Sequence, residues 1–209
     1  MLFRSEFGQG IMTGLCQIVA EELKVDWNQV HALQADGSID PVTGRGVSYP
    51  IFTDLCTLKP VNILYGTGGS GATRGRYNAL RMAGATAREM LIGAGAYLMG
   101  VDRSRLSAVE GAVVVNGTGQ SMTYGQLAGE AANLKYCPAT APLTDPADFR
   151  IIGQALPRLD IEQKTDGSAV YGIDVRLPGM LYAVVKHAPT LGGALVGTQI
   201  GRASCRERV

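Results

Sequence analysis

The sequence predicts an α/β protein, more narrowly an α+β arrangement, in which glycine-bearing loops lead directly into helices. Two observations support this fold class. Apolar residues recur at helical spacing in long segments, and short runs rich in valine and isoleucine lie between glycine and proline turns. The 209 residues suffice for one full domain and part of a second. Hydrophobic residues make up 46% of the chain and charged residues 18%, which is typical of a globular protein with a large core.

Three segments are predicted to be helices. Apolar residues at helical spacing place the first from about Gly10 to Lys24 and the second from about Arg74 to Met99. The second is rich in glycine and alanine, which favours close packing against a sheet. A third is predicted over 124–134, because the Thr123 hydroxyl can cap a helix that begins there.

The segments between these helices are predicted to form short strands and loops. Residues 36–60 and 137–148 contain glycine or proline without a clear period, so the first is predicted to be a long loop and the second a linker. The residues after the linker change in pattern. Strands are predicted at 28–35, 61–65, 106–109, 112–115, 171–175 and 180–185, with turns at 116–119 and 177–179.

Composition excludes several classes of function. The net charge of +1 gives no electrostatic basis for binding nucleic acid or an anionic membrane. The longest apolar tract, 90–101, is shorter than the roughly 20 residues that span a bilayer, so no transmembrane segment is predicted. Four cysteines without a C-x-x-C pair, and two histidines, do not suggest a zinc or iron–sulfur site built by the protein. No metal ligand is assigned.

Two glycine-bearing loops are the most informative motifs. They are Glu6–Thr13 and Gly66–Thr73, and each precedes a predicted helix. A loop without β-carbons lets backbone N–H groups approach an anion, and the positive end of the following helix favours negative charge there. Two such loops in one domain predict a long polyanionic ligand held at two points, such as a dinucleotide-type cofactor.

An NAD(P)- or FAD-binding Rossmann turn is the alternative for the second loop. Residues 66–71 match G-x-G-x-x-G between a predicted strand and a helix. Two features count against it. The acidic residue about 20 positions on, Glu89, lies in mid-helix, and a hairpin follows where a single parallel strand is expected. No lysine follows the glycines, so a P-loop is not supported.

Arg81 and Arg88 are spaced to share one face of the second helix. They are predicted to form a stripe that faces solvent or another subunit. Contact with a cofactor phosphate is the alternative.

The order of motifs resembles a known family. Residues 6–13 and 19–23 are similar to the cofactor loop and helix of molybdenum hydroxylase large subunits, a family that includes xanthine dehydrogenase and aldehyde oxidase. Residues 67–72 are similar to its second pterin-binding loop. The blocks 80–91, 123–127, 158–160, 164–174 and 177–183 follow. In this chain the cofactor loops precede the 158–183 block. That order resembles the branch of the family that contains isoquinoline 1-oxidoreductase β subunits. The similarity extends over nearly all of residues 6–198. At about residues 40–60 the sequence departs from the family's pattern.

The resemblance implies an oxidoreductase that hydroxylates N-heteroaromatic compounds or oxidises aldehydes. It implies a molybdopterin cofactor in its cytosine dinucleotide form, with oxygen from water and electrons passed to a small iron–sulfur subunit. The 2Fe–2S clusters would lie only on that partner, and a cytochrome c subunit is a further candidate partner. The family's catalytic glutamate matches no position here, so no catalytic residue is assigned. The implied cofactor-binding residues are Gly8, Gln9, Gly10, Thr13, Thr67, Gly68, Gly69, Ser70, Gly71 and Ala72.

The resemblance also divides the chain. Residues 6–148 are expected to be part of a molybdopterin-binding domain, and residues 149–198 the start of an α/β hammerhead domain. Residues 1–5 and 199–209 resemble translated sequencing adapters, with a natural basic tail as the alternative for the latter. A fragment of a longer subunit, inactive by itself, is therefore expected, and a stand-alone binding module is the alternative. The compartment is left open, with the periplasm as one candidate.

Overall fold

The computed structural model describes residues 2–3, 8–34, 50–53, 60–62, 71–134, 138, 140–185, 187–194 and 196–197. The chain divides into two compact units, Met1–Ser168 and Ala169–Val209. The helices of the first unit are α1 (Ile11–Leu23), α2 (Gly71–Arg74), α3 (Tyr77–Met99), α4 (Tyr124–Asn133) and α5 (Ile161–Thr165). Its strands are β1 (Leu2–Phe3), β2 (Leu33–Gln34), β3 (Pro50–Thr53), β4 (Pro60–Asn62), β5 (Leu106–Val109), β6 (Ala112–Val115) and β7 (Ser121–Thr123).

Helices α1 and α3 pack against each other at very close range. A β-carbon added at Gly84 of α3 would lie 2.9 Å from the Glu22 Cβ and 3.0 Å from the Val19 carbonyl oxygen of α1. Glycine is therefore needed at this crossing point. One core cluster forms beside it from Ile11, Leu15, Cys16, Ile18, Val19, Ala72 and Leu80.

The other face of α3 packs on a three-stranded antiparallel sheet of order β5-β6-β7. Glu110 and Gly111 join β5 to β6 with φ angles of 48° and 81°, the backbone of a tight hairpin turn. A β-carbon at Gly95 would meet Val113 Cγ1 at 2.9 Å. The predicted packing of a small-residue helix against a sheet is confirmed.

Thr123 caps α4 as predicted. Its hydroxyl accepts from the Gln126 N–H at 3.4 Å, and the Gln126 side chain accepts from the Thr123 N–H at 2.9 Å. At the buried side of α4, the Tyr124 hydroxyl donates to the Leu23 carbonyl at 2.6 Å, and burial raises the pKa of Tyr124 to about 12. The predictions for the first and third helices and for the 106–115 hairpin are confirmed, and the mixed α/β class with them.

The predictions for residues 28–35, 36–60 and 74–99 need correction. Strand β3 lies within the long loop predicted over 36–60, because it pairs with β4. The 28–35 segment begins with a 3-10 turn at Trp27–Gln29, and only β2 is a strand. Strand β4 covers part of 61–65, while residues 63–65 lie outside the described residues. The second predicted helix is divided at residues 75–76 between α2 and α3.

The topology contradicts a Rossmann turn at the second loop. Strand β4, before the loop, pairs antiparallel with β3, whereas β5, after α3, pairs with β6 in a different sheet. A dinucleotide fold needs these two strands parallel in one sheet.

The second unit contains a 3-10 turn at Gly172–Asp174 and no strand among its described residues. The predictions of strands at 171–175 and 180–185 are therefore wrong. A strand requires a neighbouring strand to complete its hydrogen bonds, and the described part of this unit provides none. Apolar side chains such as Leu181 and Val184 consequently stay exposed, at 92% and 96%. The intervening turn is confirmed: the Met180 N–H donates to the Leu177 carbonyl at 3.1 Å.

Candidate functional site

The first glycine loop ends at Gly10, the N-cap residue of α1. Gly8 and Gly10 have φ angles of 102° and 82°, which side-chain-bearing residues rarely adopt. Gly10 caps α1 without a side-chain hydrogen bond, and no described atom lies within 4 Å of the position of a β-carbon on either glycine. Gln9, between them, is exposed. The positive end of the α1 dipole favours an anionic group at this end of the helix.

The second glycine loop is described only at its end. Thr67, Gly68, Gly69 and Ser70 lie outside the described residues, whereas Gly71 and Ala72 begin α2. Ala72 is buried in the same core cluster as Ile11 and Leu15 of α1. The structure thus brings the helix after the second loop next to the helix after the first.

Thr13 is buried, and its hydroxyl accepts the Leu159 N–H at 3.0 Å. The Thr13 side chain thus binds the backbone of Leu159, and the Ala72 side chain packs in the core. Cofactor contact by the ten predicted residues stays a prediction.

Arg158 reaches the first loop from the other end of the unit. Its Nη1 donates to the Gly8 carbonyl at 2.6 Å. Asp160 holds the same guanidinium through Nε at 2.9 Å and Nη2 at 2.8 Å, and Lys164 Nζ lies 2.5 Å from Asp160 Oδ2. In the sequence, residues 158–160 stand out only as part of the family resemblance, so their contact with the loop is a new observation.

A polar face of α1 binds the chain that follows α4. Thr13, Gln17 and Glu21 recur every four residues and so share one side of the helix. Gln17 Nε2 donates to the Ile151 and Gln154 carbonyls at 3.1 and 3.2 Å. Glu21 Oε2 accepts three consecutive backbone N–H groups, from residues 150–152, at 2.8, 2.6 and 3.1 Å.

The Glu21 carboxylate lies among three backbone N–H donors. Two opposed effects act on its pKa. Burial raises the pKa of the carboxyl, whereas the three N–H donors and the Lys24 ammonium, at 3.2 Å, lower it. The lowering prevails, so the pKa of Glu21 lies below its usual value. In its ionised form the carboxylate therefore holds residues 150–152 against α1.

The Arg81 and Arg88 prediction is wrong, because both side chains are buried, at 8% and 7% exposure. Arg81 Nε donates to Glu22 Oε1 at 2.6 Å, and Arg88 Nη1 donates to the Glu22 carbonyl at 2.7 Å. Arg88 Nη2 also donates to the Pro142 carbonyl at 2.5 Å. Helical spacing located the shared face correctly but could not reveal a carboxylate on α1. The two consecutive acidic residues Glu21 and Glu22, next to apolar Val19 and Ala20, were the available signal.

Two clefts among the described residues lie elsewhere. A cleft of about 600 Å³ is bordered by Lys24, Trp27, Glu110 and Arg150, and one of about 430 Å³ by Cys16, His31 and Tyr124. Both lie toward the carboxyl end of α1. The first is roughly 20 Å from the glycine loop at 1.5 Å per residue of helix. Burial raises the pKa of the Cys16 thiol to about 11, so it is protonated at neutral pH. Neither of these two clefts is lined by Gly8, Gln9 or Gly10.

Neither a metal cluster nor a membrane helix occurs in the part of the chain that the structure describes. No group of three or more His, Cys, Asp or Glu residues able to hold a metal ion is found among the described residues. No described helix is both long and apolar enough to span a bilayer.

Comparison with curated proteins identifies the family. The chain is 33% identical over 90% of its length to the isoquinoline 1-oxidoreductase β subunit of Brevundimonas diminuta. It is 32% identical over 93% to a membrane-bound aldehyde dehydrogenase (pyrroloquinoline-quinone) of Gluconacetobacter polyoxogenes. It is 30% identical over 93% to one of the subunits of nicotinate dehydrogenase from Pseudomonas putida. This chain belongs to the molybdenum hydroxylase family. The predicted resemblance is confirmed.

The chain spans only 26%, 23% and 15% of the length of these molybdenum hydroxylase relatives. No protein-family model matches it. Members of the molybdenum hydroxylase family typically bind a molybdenum cofactor. Gly8 and Gly10 place backbone without β-carbons at the positive end of α1, which fits the anionic part of such a cofactor.

Proposed function

We propose that this chain is part of the molybdopterin-binding subunit of an oxidoreductase that hydroxylates N-heteroaromatic compounds or oxidises aldehydes. The names of the relatives support both substrate classes, since they include isoquinoline and nicotinate enzymes and an aldehyde dehydrogenase. The observation that carries the proposal is the helix start at Gly8–Gly10, next to the helix that follows the second glycine loop.

In this proposal the two glycine loops hold the phosphorylated part of the cofactor. Gly8, Gln9 and Gly10 supply backbone N–H groups, and Gln9 adds a side-chain amide. Gly69, Ser70 and Gly71 supply donors from the second loop. The positive end of α1 favours the negative charge of a pyrophosphate. The cytosine dinucleotide form is proposed because it provides a second phosphate and a nucleotide for these loops to bind.

The cofactor, when bound, supplies the redox chemistry, and this chain supplies binding. Electrons are proposed to leave through 2Fe–2S clusters on a small partner subunit, with a cytochrome c subunit as a further partner. Residues 6–148 are proposed to belong to the molybdopterin-binding domain, and residues 149–198 to the start of the hammerhead domain.

The test is the molybdenum content of the complete subunit, recovered from the genomic DNA on either side of this coding sequence. Purified wild-type subunit, Gln9→Ala and Gly69→Val are compared by elemental mass spectrometry. Gly129→Ala on the exposed part of α4 is the control, because nothing lies within 4 Å of the added carbon. We expect molybdenum in the wild type and the control, and a severalfold loss in the two loop variants.

Two other outcomes would overturn the proposal. The name of the Gluconacetobacter relative contains pyrroloquinoline quinone, so release of a quinone from a molybdenum-free wild-type subunit would indicate that cofactor instead. Full molybdenum occupancy in correctly folded Gln9→Ala and Gly69→Val would place the cofactor away from these loops.

A further inference from the structure

We propose that Arg158 is a positioning residue for the first glycine loop, which it holds through the Gly8 carbonyl so that the Gln9 N–H points toward the bound anion. The inference rests on the proposed function, in which that loop binds the cofactor. Arg158 itself has no contact with the cofactor in this proposal.

The orientation follows from peptide geometry. Arg158 Nη1 donates to the Gly8 carbonyl at 2.6 Å. In a planar trans peptide the carbonyl and the following N–H point in opposite directions, so the Gln9 N–H is directed away from the guanidinium. Gly8 has a φ of 102° and no β-carbon to restrict rotation of this peptide. The hydrogen bond from Arg158 therefore limits rotation of this peptide.

Asp160 makes Arg158 a fixed donor. The carboxylate accepts from Nε and Nη2 at 2.9 and 2.8 Å, which leaves Nη1 directed at Gly8. Asp160 is only 9% exposed, and Lys164 Nζ binds it at 2.5 Å. A planar guanidinium can bind a carboxylate with two nitrogens and a carbonyl with the third, whereas a lysine ammonium cannot reproduce this geometry.

The backbone next to Arg158 is fixed as well. The Leu159 N–H donates to the Thr13 hydroxyl at 3.0 Å, and the Leu159 side chain packs against the cluster that contains Ile11 and Leu15. Residues 158–160 thus contact both the loop before α1 and the first turn of α1. A shift of this segment would move the Gly8 carbonyl with it.

The first test is hydrogen exchange of the full chain at the amides of residues 9–14, with Arg158→Ala, Arg158→Lys and wild type compared. Gly14 N–H is bonded to the Gly10 carbonyl at 3.2 Å and reports the first turn of α1. Arg176→Ala is the matched control, because Arg176 also donates to carbonyls, those of Ile173 and Val175, but lies in the second unit.

We expect exchange at residues 9–14 to be roughly tenfold faster in Arg158→Ala, the size expected for loss of a charge-assisted hydrogen bond. A smaller increase is expected in Arg158→Lys and no change in Arg176→Ala. Unchanged exchange in an Arg158→Ala protein that still unfolds cooperatively would overturn the proposal. If Arg158→Ala does not fold, Arg158→Lys and Asp160→Asn are compared with the wild type instead. Unchanged exchange in both variants would then overturn the proposal.

The second test is the molybdenum content of the complete subunit carrying the same substitutions. Faster exchange together with a severalfold lower molybdenum content supports the positioning role. Faster exchange with full molybdenum content overturns it. Absence of molybdenum from the wild-type subunit would instead refute the proposed function, while the exchange result still decides whether Arg158 holds the loop.

Discussion

Glu22 of α1 and Arg81 of α3 form a buried ion pair, with 2.6 Å between Oε1 and Nε. The second carboxylate oxygen accepts the Thr144 N–H at 2.9 Å and the Thr144 hydroxyl at 3.0 Å. Arg81 also lies over the rings of Tyr77 and Phe149, at 5.5 and 5.0 Å from their centroids. One carboxylate therefore joins two helices and the linker.

Glu22→Gln is expected to destabilise the chain strongly. The substitution leaves the buried Arg81 guanidinium without its carboxylate, while Arg88 keeps Glu89 as a partner at 3.3 Å. Breaking a buried pair in this way costs about 3–5 kcal/mol. Urea unfolding measures the loss in free energy of unfolding. The control is Glu162→Gln, on the exposed side of α5, for which a change within about 0.5 kcal/mol is expected. Equal effects of the two substitutions would refute the role of the pair.

Gly84→Ala and Gly129→Ala should change stability in opposite directions. At Gly84 the added carbon would lie 2.9 Å from the Glu22 Cβ and 3.0 Å from a backbone oxygen, so α1 and α3 must separate. We expect a loss of about 1–3 kcal/mol from this overpacking. At Gly129 the space is open, and removing a glycine from the interior of α4 should stabilise the chain by about 0.5–1 kcal/mol. Thermal unfolding of both variants distinguishes the two outcomes.

Glu21→Gln should remove part of the pH dependence of stability. Because the pKa of Glu21 in the folded chain lies below its usual 4.5, the ionised carboxylate contributes stability above pH 4.5. That contribution is lost as the pH falls through the lower folded-state pKa. The difference in unfolding free energy between wild type and Glu21→Gln is therefore expected to be constant at neutral pH and to shrink below pH 4.5. A difference that grows on acidification would contradict this assignment.

Thr123→Ala should weaken the start of α4. The substitution removes the hydroxyl that accepts the Gln126 N–H, and loss of such a cap costs about 1 kcal/mol. Thr123→Ser keeps the hydroxyl and should retain most of the stability. Chemical denaturation of both variants, with helical circular dichroism as the signal, provides the comparison. Similar losses in both would show that the methyl group, and not the cap, is responsible.

Local patterns were sufficient where neighbours in sequence decide the structure. The periodicity of Ile11 to Leu23, the cap at Thr123 and the hairpin over residues 106–115 depend on contacts within a few residues, and all three are confirmed. The glycines at 8 and 10 were also correctly assigned to a helix start. The Gln9→Ala variant tests the predicted contact of their loop with the cofactor.

The wrong predictions involve partners distant in the chain. Arg81 and Arg88 have the spacing of a solvated stripe, and only their packing against Glu22, 59 and 66 residues away, makes them buried. Residues 171–175 and 180–185 have strand composition without a neighbouring strand among the described residues of their unit.

The sequence by itself determined the helices and the hairpin, their caps and turns, and the family, because hydrophobic period, glycine placement and motif order are properties of the chain in one dimension. Tertiary structure alone decided which charges are buried together and which segment holds the glycine loop. These depend on residues such as Arg158 and Gly8, 150 positions apart, meeting at one hydrogen bond. No spacing rule along the sequence encodes a contact of that range, whereas the packing of distant segments brings such residues together. Desolvation of charge adds a reason for the buried Glu22–Arg81 pair.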